Sequence, residues 1–446
     1  MTTAPLPAER PRPFYYGAIG ALTCPRCRVV ALYYAAVLAL SIVGVVAVAN
    51  RWVEGLKVTD LSSPMTWGLW IALYIFFVGL SAGSFLLSTL IYVFGMKGLE
   101  RVGRLSILAA ILSLCAALLF VWIDLGHPER FWRVFSNWHN TSIMAWEFIL
   151  YNFYIVLLLV ELWFLMRLDL AREAAEGGGL RQRVARLLSF GFRSPATAEG
   201  REAAQSRSLA VAKVCGIIGI PTAIGVHGGT GAIFAVVISR PYWNTGLFPV
   251  IFIVSALASG AALITFLYAV LGRRDQEFMP VLRRLAQLMI LFIAVDLLML
   301  LADFVVGIYQ RGTTESAVLE VITTGKFWFV FWIGEIMFAG LIPIILVSAG
   351  RGSPISLGAA GLVMLLGIVS VRLNLVIPAY VDPVLPGLQA AYFDIRFVYE
   401  YLPSVNEWLI SVGLIATIAL AFSLAVDLLP LGEEIRPIAR REEPSH

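Results

Sequence analysis

Apolar runs of eighteen or more residues recur along the whole chain. Each is long enough to cross a hydrocarbon layer roughly 30 Å thick. This constrains the fold more than any other feature of the 446 residues. In hydrocarbon, backbone N–H and C=O groups must be satisfied internally, which makes the α-helix the spanning element for runs of this length. Composition agrees: 14% of residues are charged, against about 25% in soluble domains. The expected fold class is an all-α polytopic membrane protein with ten transmembrane helices. They are read near 29–50, 66–96, 104–124, 143–168, 209–239, 248–271, 285–309, 327–350, 355–377 and 407–429.

Lys and Arg set the expected orientation, because they are retained on the cytoplasmic side. They collect in 1–28, in the 97–104 turn, in 169–208, in 272–284 and in the 430–446 tail. Both termini are therefore expected in the cytoplasm of a multi-pass protein of the inner (plasma) membrane, with 125–142, 240–247, 310–326 and 378–406 outside. Arg10, Arg12, Arg26 and Arg28 precede or open the first apolar stretch, so the first span reads as an uncleaved anchor. Cys24 and Cys27 form a lone CPRC, short of the ligands of a zinc or cluster site. The net charge of +4 is sorted onto loops, and nothing points to nucleic acid.

Two loops stand out. In 169–208, Leu180, Val184, Leu187 and Leu188 recur at helical spacing among arginines, which suits a helix on the anionic inner leaflet or a solvated linker. The external 378–406 is rich in Pro, Tyr and Phe, as a lid or docking surface would be. An internal repeat is also expected. "GLSAGSFLL" aligns with "ALASGAALI", Gly83 with Gly260, Asp124 with Asp303, and Glu147 with Glu335. The domain reading is a first helix and external loop over 29–65, four-helix bundles at 66–239 and 240–377, and an external loop with the last helix at 378–429.

Ionisable groups inside a span are costly and mark function by default. Counted from the outer boundary at 1.5 Å per residue, Glu147 lies roughly 6 Å deep, Arg372 8 Å, Asp303 9 Å and Glu335 12 Å. His227 and Asp296 lie about 18–20 Å deep, near mid-membrane. The inner half is sparser, with Glu161, Lys213, Gln287 and Asp427. Each residue has a plain alternative: Arg372 and Asp303 as a structural pair, Asp296 protonated in the core, His227 as a buried packing histidine, Glu147 as a boundary charge. Together they make a polar outer half that an anchor bundle would not need. A bis-histidine haem would need paired axial ligands, but only His227 is at depth, and no cysteine cluster or phosphate loop is read. A quinone is the redox partner that needs only hydrogen-bond donors and proton acceptors among helices.

"DLGHPERFW" at 124–132 followed by "SIMAWE" at 142–147 resembles the "DLGRPERFW … SPMSWG" pattern of the NrfD-like family of polysulfide reductase membrane subunits. "GLSAGSFLL", "HGGTGAIFAV" and "FIVSALASGAAL" are similar to helices of that family. "VRLNLVIPAY" and "YLPSVNEW" resemble its ten-span branch. The sequence departs from the pattern at His127, where Arg is common. The resemblance implies two four-helix bundles with flanking helices and a quinone (menaquinone or ubiquinone) site near the outer face, with no haem or metal in this chain. It also implies an iron–sulfur subunit docked outside and a molybdopterin or multihaem catalytic subunit. Carried onto this sequence, it assigns His127, Asp124 and Glu147 to headgroup binding and proton exchange, with Tyr151 and Asn152 one turn below and His227 in addition. Asp296, Asp303, Glu335, Arg372 and Glu161 are left as a proton path. The competing classes are a proton-coupled transporter and an inert anchor of an external enzyme.

Overall fold

A computed structural model describes residues 25–432 and 435, apart from 311, 351, 382 and 384–386. Cys24 and the Cys27 side chain lie outside the described residues. Ten helices are long and apolar enough to cross a membrane: α1 (Pro25–Glu54), α2 (Leu69–Tyr92), α3 (Gly103–Asp124), α4 (Ile143–Glu176), α5 (Ala198–Ala235), α6 (Phe248–Leu271), α7 (Phe278–Tyr309), α8 (Val330–Ala349), α9 (Pro354–Val376) and α10 (Val405–Leu428). Among the described residues there is no strand. The fold is all-α and polytopic.

Local chemistry fixes the helix starts. The Ser142, Thr197 and Ser353 side chains accept from the third residue of α4, α5 and α9, and Ser404 with Glu407 forms a capping box on α10. Helices α4 and α5 overrun the expected spans, ending at Glu176 and starting at Ala198. Their extra turns are rich in Ala, Arg and Glu, which favour helix in water as well as in lipid. The 169–208 connection thus reduces to residues 177–197, which carry the short helix Gly179–Leu188. That helix is tied down by Trp163 Nε1 donating to the Leu188 carbonyl at 2.9 Å.

Helix α2 is hydrophobic all round and buried throughout, which makes it a central helix. It packs on α3, α5 and α6, while α4 pairs with α5, α6 with α7 and α9, and α8 with α9. Outermost, α1 packs on α10 and turns most of its side chains outward. The α2–α6 contact is backbone to backbone: a Cβ on Gly83 would overlap the Ala256 carbonyl, and one on Gly260 would strike Gly83 and Ser84. Removing side chains is what lets membrane helices approach this closely.

Successive helices run antiparallel, so the connections divide between two faces. One, the Asp124 face, joins Ser62 to Val398, Lys326 to Glu400 and Arg240 to Ala379. The other, rich in arginine, joins Arg101 to Asp275 and Arg104 to both Asp169 and Pro430. The start of α1 and the end of α10 lie together, with Tyr34 donating to Asp427 at 2.6 Å. Residues 378–406 are mostly irregular, with short helical turns at Pro378–Val381 and Leu388–Ala391.

Candidate functional site

Glu147 sits in the second turn of α4, yet only 3% of it is exposed. Four residues on, Tyr151 returns to the same face of the helix and donates to Glu147 Oε1 at 2.7 Å. Thr230 of α5 donates to the same oxygen. Tyr74 of α2 extends the network, its hydroxyl 2.6 Å from that of Tyr151. With the Tyr151 proton committed to the carboxylate, Tyr74 is the donor to Tyr151. Three helices thus bring three hydroxyls to one buried carboxyl, an arrangement that can pass a proton between hydroxyls without moving a backbone.

Below this cluster on α5, three residues before Thr230, His227 is 1% exposed and neither ring nitrogen meets hydrogen-bond geometry. Its ring tilts against Phe252 with centroids 5.4 Å apart. Gly79 of α2 flanks the ring, and a Cβ there would come into contact with it, 3.4 Å from both Cε1 and Nε2. Buried polar atoms are nearly always paired, and the Phe252 backbone is the hydrogen-bonding group that acts on this ring, which leaves the imidazole only loosely held beside the hydroxyl network.

A second polar group surrounds the end of α3. Arg51 of α1, 1% exposed, donates through Nε to the Ile123 carbonyl at 3.1 Å and through Nη2 to that of Leu125 at 2.5 Å. It therefore caps the orphan carbonyls of α3 and fixes the loop that begins at Asp124. Asp124 has Arg51 and Glu407 as charged neighbours, and its Oδ1 is buried without a partner. Glu407 accepts from the Asp60 and Ser404 amides and from the Tyr401 hydroxyl, which itself accepts from the Leu69 amide. Beyond the loop, His127 points outward with 66% of its side chain exposed and pairs with Glu129 at 3.0 Å. Arg130 meets the same carboxylate at 3.5 Å. That carboxylate is held below the usual range by its own backbone amide and then by His127 and Arg130.

The third group lies between α6, α7, α8 and α9. Arg372 donates to Ser255 at 2.7 Å, and Asn374 donates to Glu335 at 2.8 Å. Asp296 and Glu335 are the charged groups that act on Arg372, and among the described residues Arg372 forms no ion pair with them or with Asp303. Asp303 instead neighbours Tyr242 and Glu315. Glu335 lies in a π-helical stretch of α8, Val330–Leu341, a widened turn common at functional sites. Phe252 lies between this group and His227, with the Arg372 guanidinium 5.0 Å from its ring centroid. Glu161, 14 residues beyond Glu147, is fully buried with neither oxygen partnered.

Of the residues expected at the site, the structure joins Glu147 and Tyr151, with His227 nearby on α5. Asn152 is not among them: it is exposed and donates to the Phe148 carbonyl at 2.8 Å, because one residue turns about 100° round the helix. His127 is turned to Glu129 on the surface rather than to Glu147. Sequence reasoning misses Tyr74 and Thr230. Their one sequence signal is a hydroxyl inside an apolar run, which needs a partner when buried. Among the described residues no group of three or more His, Cys, Asp or Glu is arranged to hold a metal ion.

The family model described as polysulphide reductase, NrfD, matches residues 57–383, from the approach to α2 to the end of α9. The chain belongs to the NrfD family. It is 46% identical over 400 residues to a selenate reductase subunit of Mesobacillus selenatarsenatis, covering 90% of this NrfD-family chain and 94% of that protein. It is 30% identical over 385 residues to the Hdr-like menaquinol oxidoreductase integral membrane subunit of Archaeoglobus fulgidus, covering 83% and 86%. A polysulfide reductase chain of Wolinella succinogenes is 27% identical over 323 residues, which span 70% of the present sequence and 93% of that relative.

Proposed function

We propose that this NrfD-family chain is the quinone-interacting membrane subunit of a respiratory oxidoreductase complex. It exchanges electrons between the quinone pool and an iron–sulfur subunit docked on the Asp124 face. A molybdopterin or multihaem subunit makes up the rest of the assembly. The observation that carries this reading is the buried carboxyl of Glu147 with Tyr151, Tyr74 and Thr230 around it. The relative named as a menaquinol oxidoreductase subunit supports the substrate class.

The residues fit a quinone headgroup. Such a headgroup supplies two carbonyl oxygens whose reduction takes two electrons and two protons. The Tyr151 and Thr230 hydroxyls orient the Glu147 carboxyl, and Glu147 takes or returns the headgroup proton. His227, whose ring nitrogens meet no strict hydrogen-bond geometry, offers the complementary contact from α5. Arg51 positions the Asp124 loop, and Asp124 with the outward His127 serves proton exchange with water at the mouth. Asp296, Glu335 and Arg372, with Asp303 and Glu161 beyond them, hold protons deeper in the bundle. The arginine-rich face is read as cytoplasmic, with both ends of the chain on that side of the inner membrane. Two four-helix units, α2–α5 and α6–α9, are supported by the Gly83–Gly260 contact between their leading helices.

The test is purification in mild detergent from native membranes, with subunit identification, iron and molybdenum analysis and quinone extraction. A cluster-bearing partner and co-purifying quinone are expected; a lone chain without either overturns the reading. Asp296→Asn with Glu335→Gln in the same complex is expected to lower proton uptake per quinone. If these changes alter assembly alone, the deeper group is structural.

A further inference from the structure

The arginine-rich face carries a site that the quinone reading does not use. Two adjoining cavities of about 1000 Å³ and 860 Å³ open there and share Leu168, Asp169, Arg172 and Gln205. Arg101, Arg104, Arg172, Arg181 and Arg273 line the first, against Glu100 and Asp169. The second adds Arg186, Arg193 and Arg201, against Glu176. Part of this charge is neutralised internally: Arg104 meets Asp169 at 2.6 Å, Arg101 meets Asp275 at 2.7 Å and Arg181 meets Glu173 at 3.2 Å. Arg172 reaches Asp169 only at 3.4 Å with 63% of its side chain exposed. Arg186, Arg193, Arg201 and Arg273 make no ion pair with the described residues. Among the described residues, the cavities therefore carry more positive than negative charge.

Depth and apolar surroundings point to the source of the balancing anion. Leu168 and Arg172 follow the start of α4 by roughly 38 and 44 Å of helix, past a hydrocarbon core of about 30 Å. The arginines thus stand at headgroup level. Phe164, Leu165, Leu209 and Val426 line the first cavity from the membrane side. In the 177–197 connection, Leu187 and Phe190 are 73% and 77% exposed. Phe190 takes a left-handed backbone conformation, φ 47°, which is costly for a bulky residue, and its ring stands 6.2 Å from that of Trp163.

We propose that these cavities bind an anionic glycerophospholipid, with its phosphates among the arginines and its acyl chains along the apolar wall. Basic cavities between helices on one membrane face bind such headgroups by charge. The apolar wall and the exposed Leu187 and Phe190 favour a lipid over a free anion. The bound lipid would tie the 177–197 connection to the ends of α4, α5 and α10.

The experiment uses the full chain with its accompanying subunits, delipidated in dodecyl maltoside. Diphosphatidylglycerol, phosphatidylcholine or inorganic phosphate is then added, and lipid retention is read by native mass spectrometry beside thermal melting. Diphosphatidylglycerol is expected to remain bound and raise Tm by about 3 °C or more, and the other two to do neither. Arg172→Gln with Arg273→Gln, both exposed, should cut retained lipid about tenfold with Tm in phosphatidylcholine unchanged. Arg183→Gln, on the short helix Gly179–Leu188 but outside the cavity linings, should retain lipid as the wild type does. Equal effects of phosphatidylcholine or phosphate overturn the proposal. So do wild-type retention by the double variant and equal loss in Arg183→Gln.

Discussion

Glu147 is the residue on which the site turns, because two hydroxyl donors converge on one of its oxygens. Tyr151→Phe leaves it with Thr230 alone and strips Tyr74 of its acceptor. Stability should fall by about 1–2 kcal/mol, read by thermal melting, and quinone turnover by about 10²-fold. His127→Ala is the contrast. Its imidazole is exposed, so stability should change by less than about 0.5 kcal/mol, read by the same thermal melting. At this scale the sequence is partly legible. Glu147 and Tyr151 share a helix face by their spacing of four, and a carboxyl in a span asks for an explanation. Tyr74 and Thr230 stay hidden because a lone hydroxyl in an apolar helix is ordinary, and only packing across helices supplies its partner. Asn152 is drawn in by adjacency in sequence, which on a helix means the wrong face.

Among elements, the decisive joints are a cap and a close contact. Arg51 joins α1 to the end of α3 through two charge-assisted hydrogen bonds. Arg51→Ala should cost about 3 kcal/mol, seen in melting, and loosen the loop carrying Asp124 in hydrogen exchange. Lys at this position should recover only part, since one ammonium cannot match the guanidinium fork. Gly260→Val should abolish stable expression, because its side chain would meet the Gly83–Ser84 backbone. Gly246→Ala, with open space around it, should express normally. The helices themselves are legible from hydrophobic length, α6 to the residue. Their polar extensions are not, because hydropathy marks where hydrocarbon ends and helix propensity carries α4 and α5 further. The π-helical stretch of α8 has no signature in apolar periodicity either.

For the whole molecule, ten antiparallel helices bring the ionisable residues into three groups rather than a single outer belt. A depth count gives their height but not their azimuth, so it cannot tell that Arg372 faces Asp296 and Glu335 while Asp303 stands apart. Family membership over 57–383 leaves α1 and all of α10 as flanking helices, and these supply Arg51 and Glu407 to the Asp124 loop. Quinone chemistry is assigned to the junction of α2, α4 and α5, and quinol-dependent turnover of the assembled complex tests that assignment most directly. With Glu147→Gln, subunits assembled and folding intact, turnover should fall by about 10²-fold or more. Turnover equal to wild type would contradict the assignment.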